Sequence, residues 1–365
     1  MACLEVLEPI TYGVLSRVVQ RLVFKSADFK ALARAMGVTR VARVTGLDRT
    51  GIEVACAVRP RGHILQVTNG KGRDWATAQA SALFEAAELW AAENPPSFSN
   101  NWASAQELED QVDVWTPLDL GAEAGPLWSP SLRLLWLSAE RQDAAGEVWV
   151  PAPAVYCPGD ESAQLGPSLL RWTSNGLAAG VERQRAIAHA VAEVMEREAL
   201  CRMLPHGWTA QATRRLERRV DAREWEARGF DVCVLDVTPR GWLWPVAAAL
   251  LREKEGRTLG ATAGYACRAL WDEAVEAALL EAAQSRLTDI HGAREDVASA
   301  ERGVELPLKK RASLPERPRS RTTSLEAAMA VLNRPVAVVD LPRPRAGVHV
   351  VRAWVKGFRV SELLA

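Results

Sequence analysis

The sequence has no CxxC pair, no HExxH and no similar metal spacing, although its 365 residues include six cysteines and five histidines. Zinc and dithiol redox chemistry therefore have nothing to rest on. Cys3, Cys56, Cys157, Cys201, Cys233 and Cys267 lie far apart and read as reduced, mostly buried thiols. There is no GxxxxGK followed by Ser or Thr and no GxGxxG after a strand, which removes the usual P-loop and dinucleotide signatures. No GxSxG elbow appears, so a serine-hydrolase triad has no anchor. No apolar run approaches bilayer length, and the N-terminus lacks the basic-then-apolar pattern of a secretory signal. Charge of one sign is missing as well. The 45 Lys+Arg match 45 Asp+Glu, so no overall field points to nucleic acid or an anionic membrane. These absences fit a cytosolic protein.

What is present is ordinary for a globular chain: 48% hydrophobic and 25% charged residues. The 14 Trp outnumber Phe and Tyr together, and most read as core, with a few available to line a peptide groove. Val38 to Val58 alternates β-branched and polar residues around Gly46-Leu47-Asp48, which predicts two strands joined by a turn. His63 to Thr68 predicts another strand, and Asn69-Gly70-Lys71-Gly72 a glycine-rich turn. Ala and Leu at helical spacing predict three long helices, near Trp75–Glu93, Arg185–Met203 and Trp271–Asp289. Strands are predicted over Trp149–Tyr156, Phe230–Val237, Trp244–Leu251, Thr262–Cys267, Val336–Leu341 and Val348–Val355, with a turn at Thr173–Gly176 and a solvated loop over Leu306–Ser320. Strand, turn and helix recur three times without a fixed repeat. The expected fold class is α+β, one domain over residues 1–365 built of related lobes.

Each long helix carries a polar set among apolar neighbours. Ser81, Glu85 and Glu88 lie at i, i+4 and i+7 and share one stripe. Glu193, Glu196 and Arg197 share a face of the second helix. Glu281, Gln284 and Arg286 sit on the third, where Gln284 and Arg286 cannot point the same way; Arg294 follows beyond its end. Paired carboxylates repel unless a cation or proton relieves them, and Mg²⁺ is a hard cation that takes oxygen ligands and substrate phosphates. Arginine beside them suits phosphate oxygens. The Asn69–Gly72 turn offers backbone N–H groups and the Lys71 ammonium to phosphate. Taken alone, the first two helix sets are better explained as solvated faces, and the third is evenly balanced.

Taken together and in order, these blocks resemble the YcaO superfamily. The resemblance runs through Thr45-Gly-Leu-Asp-Arg-Thr-Gly-Ile52 with Val58-Arg59-Pro60, Gly70-Lys71-Gly72, and SxxxExxE at Ser81, Glu85 and Glu88. It continues with Ser174-Asn175-Gly176-Leu-Ala-Ala-Gly180, ExxER at Glu193, Glu196 and Arg197, EAAQSRL at Glu281–Leu287 with Gly292–Asp296, and Val350-Val-Arg-Ala-Trp-Val355 followed by Lys356-Gly357-Phe358. It implies ATP held between helices, with Mg²⁺ ligated by Glu85, Glu88, Glu193 and Glu196. Lys71, Ser81, Asn175, Arg197, Gln284, Arg286 and Arg294 would contact nucleotide, and Glu85, Glu196 and Arg197 would carry catalysis. Two places depart from the family pattern. Val181 and Gln184-Arg185 stand where Asn and a Glu-Glu pair are common, and Cys267-Arg268 replaces a Cys-His pair.

The chemistry implied is attack on a backbone amide of a peptide or protein, with ATP phosphorylating the amide oxygen. The C-terminus Ser361–Ala365 lacks a PxPxP tail, and no additional leader-recognising domain is evident. The opening block looks like that of members that pair with a TfuA partner and a sulfur donor, so thioamide formation is expected ahead of azoline formation, in a homodimer. The alternative of another class is a non-catalytic peptide-binding scaffold with a decayed ATP site; a simple ATP-grasp-like ligase or kinase is a third.

Overall fold

The structure is a computed structural model and describes residues 26–98, 102–121, 128–157, 172–255, 260–292 and 324–360. Helix α1 (Ser26–Ala35) precedes an antiparallel sheet of β1 (Arg40–Arg43), β2 (Glu53–Val58) and β3 (Val67–Gly72), and α2 (Trp75–Glu93) follows. The next stretch contains β4 (Trp102–Ala103), α3 (Ala105–Glu109), β5 (Leu134–Arg141), β6 (Glu147–Pro151), α4 (Ala152–Val155), β7 (Leu177–Gly180) and α5 (Arg183–Met203). Then come α6 (Ala210–Leu216), β8 (Glu217–Arg218), α7 (Arg223–Ala227), β9 (Phe230–Asp236), β10 (Val246–Glu253), β11 (Thr262–Cys267) and α8 (Trp271–His291). The last described elements are α9 (Leu325–Leu332), β12 (Val336–Leu341) and β13 (His349–Val355).

Among the described residues the fold is α+β with three antiparallel sheets: β1-β2-β3, β11-β10-β9-β8, and β4-β5-β12-β13-β7 with β6 on β5. Each long helix covers one sheet and reaches a strand of the next. Helix α2 covers β2 and β3 and touches β7; α5 covers β13 and β7 and touches β11; α8 covers β10 and β11 and touches β3. The three helices therefore sit around a common centre, with β3, β7 and β11 at the sheet margins that face it.

Helix α2 starts where Asp74 accepts a hydrogen bond from the Thr77 N–H at 3.1 Å, an N-cap that satisfies one orphan donor. Ala, Leu and Phe make up most of it, and Ala78, Ala82, Leu83, Phe84, Ala86 and Ala87 are buried. A helix apolar on most sides belongs in an interior. Burying Leu83 or Phe84 stabilises by about 1.5–3 kcal/mol each. The polar exceptions at Ser81, Glu85 and Glu88 are only half-buried, which replaces the solvated-face reading for this helix.

The Asn69–Gly72 segment is a correction. It was expected as a turn and is the body of β3. Its glycines serve close packing: a Cβ on Gly70 would stand 2.0 Å from Ala82 N and 2.2 Å from Ala78 O. Gly264 in β11 repeats the arrangement, its Cβ position 2.2 Å from Ala278 O and 2.3 Å from Ala282 N on α8. Glycine in a strand marks such close backbone approach as well as turns. The cradle of turn amides expected for phosphate is accordingly absent there, and Lys71 remains as a strand residue. Trp149–Tyr156 also differs: the strand ends at Pro151, and Ala152–Val155 is a helical turn. The Thr173–Gly176 turn is present, and Gly176 has φ +77°. The solvated loop expected at Leu306–Ser320 lies outside the described residues.

Candidate functional site

Three helices bring their polar sets to the common centre. Glu193, on α5, has its carboxyl pushed up to about 7, first by burial and then by Glu196, Glu281 and Glu85, with Arg197 acting the other way. Glu88, on α2, is held well above the ordinary carboxylate range by burial and by the charges of Glu193 and Glu85. Glu196 is also raised, chiefly by burial, and Glu281 on α8 adds to it. Glu85, Glu88, Glu193, Glu196 and Glu281 thus act on one another across three helices. This is convergence of carboxylates out of bulk water, and like charges so placed disfavour ionisation.

Cations are interleaved with them. Lys71 Nζ donates to Glu281 at 3.0 Å, and Glu281 is held below its ordinary value because Lys71, Arg197 and Arg268 outweigh burial. The Arg197 guanidinium lies 3.5 Å from Glu196 and 3.8 Å from Glu193, without a tight bidentate bond to either. Arg268, at the end of β11, acts on Glu196, Glu281 and His189. His189 sits one turn before Glu193, its ring still meeting solvent. Loss of hydration among the packed helices, with Arg268 and Lys71 beside it, shifts that imidazole below its ordinary value, against the opposing charge of Glu281.

The sequence-predicted residues sort as follows. Lys71, Glu85, Glu88, Glu193, Glu196 and Arg197 come together. Ser81 lies half-buried one turn before Glu85. Glu88 is partly engaged, since one of its oxygens accepts the Ala179 N–H of β7 at 2.8 Å. Asn175 Oδ1 and Gln284 Oε1 are buried without a hydrogen-bond partner, while Gln284 Nε2 donates to Asn69 O at 3.3 Å. Arg286 goes elsewhere. Two positions on from Gln284 it points to another side of α8, where it bonds Asp48 at 3.0 Å and Glu253 at 2.9 Å over the Phe230 ring. Only 5% of it is exposed, so this structure makes it a buried structural ion pair. Arg294 lies outside the described residues.

His189 was not expected at the site, and Arg268 was singled out only as a departure from the family's Cys-His pair. His189 is on the i, i+4 stripe that contains Glu193 and Arg197, a spacing visible in the sequence. Arg268 has no helical spacing to mark it; its signal was the departure from the family's Cys-His pair.

The donor set suits a divalent cation on a polyphosphate. Carboxylate oxygens are the ligands Mg²⁺ prefers, the raised carboxyl groups mark charge that a cation would relieve, and two buried acceptors have no partner. Among the described residues no group of three or more His, Cys, Asp or Glu side chains is drawn close enough to cage a metal by itself. Mg²⁺ usually completes its shell with water and substrate phosphates and not with an all-protein cage.

Comparison with known proteins gives the same direction. A family model described as YcaO cyclodehydratase, ATP- and Mg²⁺-binding, matches residues 69–359. An uncharacterized protein of Methanothermobacter thermautotrophicus is 34% identical over 289 residues, 73% of this chain and 70% of its own length. A Rhizobium leguminosarum bv. trifolii protein, described by its place in the tfuA 3′ region, is 29% identical over 385 residues and covers 93% of this chain and 89% of its own. An uncharacterized Mycobacterium tuberculosis protein, Rv1375, is 32% identical, and the match spans 60% of its length. Among solved structures, YcaO from Methanopyrus kandleri bound with AMPPCP and Mg²⁺ has a TM-score of 0.67 at 23% identity, covering 93% of this chain and 90% of that one. A heterocyclase in complex with substrate and cofactor has a TM-score of 0.68 at 18% identity, covering 91% of this chain and 52% of that one. At these identities the structures establish the fold. Among the described residues no helix is long and apolar enough to cross a membrane.

Proposed function

The chain belongs to the YcaO family, an ATP- and Mg²⁺-binding family, and on that premise we propose that it activates a backbone amide of a peptide or protein by phosphorylating the amide oxygen, leading to a thioamide. The observation that carries this reading is the meeting of Glu85, Glu88, Glu193, Glu196 and Glu281 with Lys71 and Arg197 at one centre. A structural role alone does not require such an assembly, since it raises several carboxyl groups at a cost in stability.

Glu85, Glu193 and Glu196 would hold Mg²⁺, with Glu88 giving its remaining oxygen; Ser81, Asn175 and Gln284 would contact nucleotide. The Mg²⁺-nucleotide supplies the electrophilic phosphoryl group. An amide oxygen is a poor leaving group, and phosphorylation makes it a good one. Lys71 and Arg197 are placed to offset the charge that builds on the phosphoryl oxygens during transfer. Arg197 is held only loosely by its two glutamates, so its donors can turn to phosphate. The site lies among protein walls, where such charge–charge attraction is stronger than in water.

The thioamide product, a TfuA-like partner, a sulfur donor and a homodimer are parts of this proposal. The relative from the tfuA 3′ region supports the partner. The azoline alternative is favoured by the heterocyclase neighbour, and the scaffold alternative by Val181 and Arg185. Arg185 pairs with Glu182 at 2.8 Å and contributes no carboxylate. The test is incubation of the protein and its partner with a cognate peptide, ATP and sulfide. A mass gain equal to sulfur minus oxygen supports thioamidation, and loss of one water supports an azoline. Phosphate release that is absent from wild type, and no different in a Glu85→Gln, Glu196→Gln double variant, leaves the scaffold.

A further inference from the structure

Strand β13 alternates Val350, Arg352 and Trp354 on one face, and Val350 and Trp354 both join the main apolar core. Arg352 is the exception on that face. It is 4% exposed, and among the described residues it makes no ion pair with a carboxylate. An arginine is almost never fully buried unpaired, because its desolvation is costly. What it has instead is specific. Nη1 donates to Val155 O at 3.0 Å and Nη2 to Thr173 O at 2.6 Å. The guanidinium lies 5.1 Å from the Trp172 ring centre and 5.3 Å from that of Trp354. Nε is buried and has no partner. Burial pulls the group down to about 9, and the charges that act to raise it are those of Glu193 and Cys157.

The segment it grips leads directly to the site. Thr173 opens the turn that carries Asn175 and then enters β7, whose Leu177 is the register partner of Arg352 itself. The next residue of β13 secures the other end, since Ala353 N–H donates to Gly176 O at 2.8 Å. Gly176 has φ +77°, and a Cβ there would stand 2.2 Å from Ala353 O. Asn175 lies between these two fixed points, its Oδ1 buried and unpartnered. A buried cation that violates the local apolar pattern is expected where function demands it.

Building on the nucleotide reading above, we propose that Arg352 is a positioning residue of the nucleotide site: its guanidinium fixes the Thr173–Gly176 turn and so aims Asn175 at the bound nucleotide. Lysine keeps the charge but lacks the two-pronged donor geometry. Methionine keeps much of the apolar stem and loses both.

The experiment uses the full-length protein as wild type, Arg352→Met, Arg352→Lys, Asn175→Ala and the Met/Ala double variant. Hydrogen exchange of residues 172–176 is read without ligand, and Mg²⁺-AMPPCP affinity is read by calorimetry on samples with native circular dichroism. Faster exchange is expected in Arg352→Met, less in Arg352→Lys and none in Asn175→Ala. Affinity should fall at least about tenfold in Arg352→Met and in Asn175→Ala, with no further loss in the double variant, the signature of residues acting as one unit. Arg352→Lys should lie between wild type and Arg352→Met. Unchanged exchange of the turn in Arg352→Met, or losses that multiply in the double variant, overturns the proposal while leaving the nucleotide reading intact. A wild type that does not bind Mg²⁺-AMPPCP overturns both. Should Arg352→Met fail to fold, Arg352→Lys decides: wild-type exchange and affinity there refute the role of the fork.

Discussion

Glu193 gives the sharpest prediction, because its carboxyl is moved from 4.5 to about 7 in the folded protein. A carboxyl that resists ionisation only when folded destabilises the fold as pH rises. Below about 4.5 it is protonated in both states and contributes nothing. Between 4.5 and about 7 the unfolded chain ionises first and the penalty grows; above 7 it is complete, at about 3 kcal/mol. The side chain is 21% exposed, so little of this is lost to solvent screening. Glutamine removes the ionisation while keeping the shape. Glu193→Gln should therefore stabilise the ligand-free protein above pH 7 by up to about 3 kcal/mol, with the gain fading to nothing near pH 4.5. The assay is urea unfolding of wild type and variant across that range without divalent cations. Adding Mg²⁺-AMPPCP should reverse the order, since only wild type gains the linkage stabilisation of a bound ligand. A Glu193→Gln variant less stable than wild type at pH 8, or a difference that does not vary with pH, refutes the reasoning.

Further expectations follow from the same geometry. Lys71→Met should weaken Mg²⁺-AMPPCP binding about tenfold or more through loss of a charge-assisted contact, measured by calorimetry, whereas unchanged affinity would remove Lys71 from the site. Arg286→Met strands the buried Asp48 and leaves Glu253 with Arg49 alone, and should cost about 3–5 kcal/mol in denaturant unfolding. Wild-type nucleotide affinity in the folded fraction is expected with it, and a selective loss of affinity would instead make Arg286 a nucleotide contact. Gly70→Ala forces a methyl into the α2 backbone and should destabilise by about 1–3 kcal/mol or more, visible as a lowered Tm; a neutral outcome would contradict the close packing. The Glu193 carboxyl, raised to about 7, should make Mg²⁺-AMPPCP binding release protons near neutral pH, detected as a dependence of calorimetric heat on buffer ionisation enthalpy.

Local order was largely legible in the sequence: Ala and Leu periodicity placed α2 at its observed bounds, and β11 and β12 lie where strands were expected. The polar stripes on α2 and α5 were legible for the same reason: three or four positions apart means one face. What the sequence hid was non-local. β12 and β13 insert between β5 and β7, and no local pattern records that pairing. The Asn69–Gly72 segment was misread because glycine serves tight turns and tight packing alike, and only the position of α2 shows which. Leu177–Gly180 has no β-branched residue, and it becomes a strand because β13 supplies its partner. Arg286 was expected at the nucleotide and is spent on Asp48 and Glu253. Arg268 was marked in the sequence only as a family departure, and the sheet topology brings it to the site. Arg352 looks in sequence like one more charge in an alternating strand, and burial distinguishes it.

The most direct measurement is an experimental structure of the protein with Mg²⁺ and AMPPCP. The account predicts a metal at about 2.0–2.1 Å from carboxylate oxygens contributed by α2 and α5, with Lys71 and Arg197 turned onto the phosphates and Asn175 on the nucleotide. Nucleotide bound away from these helices, or the same glutamates left without metal while it is bound, would contradict it.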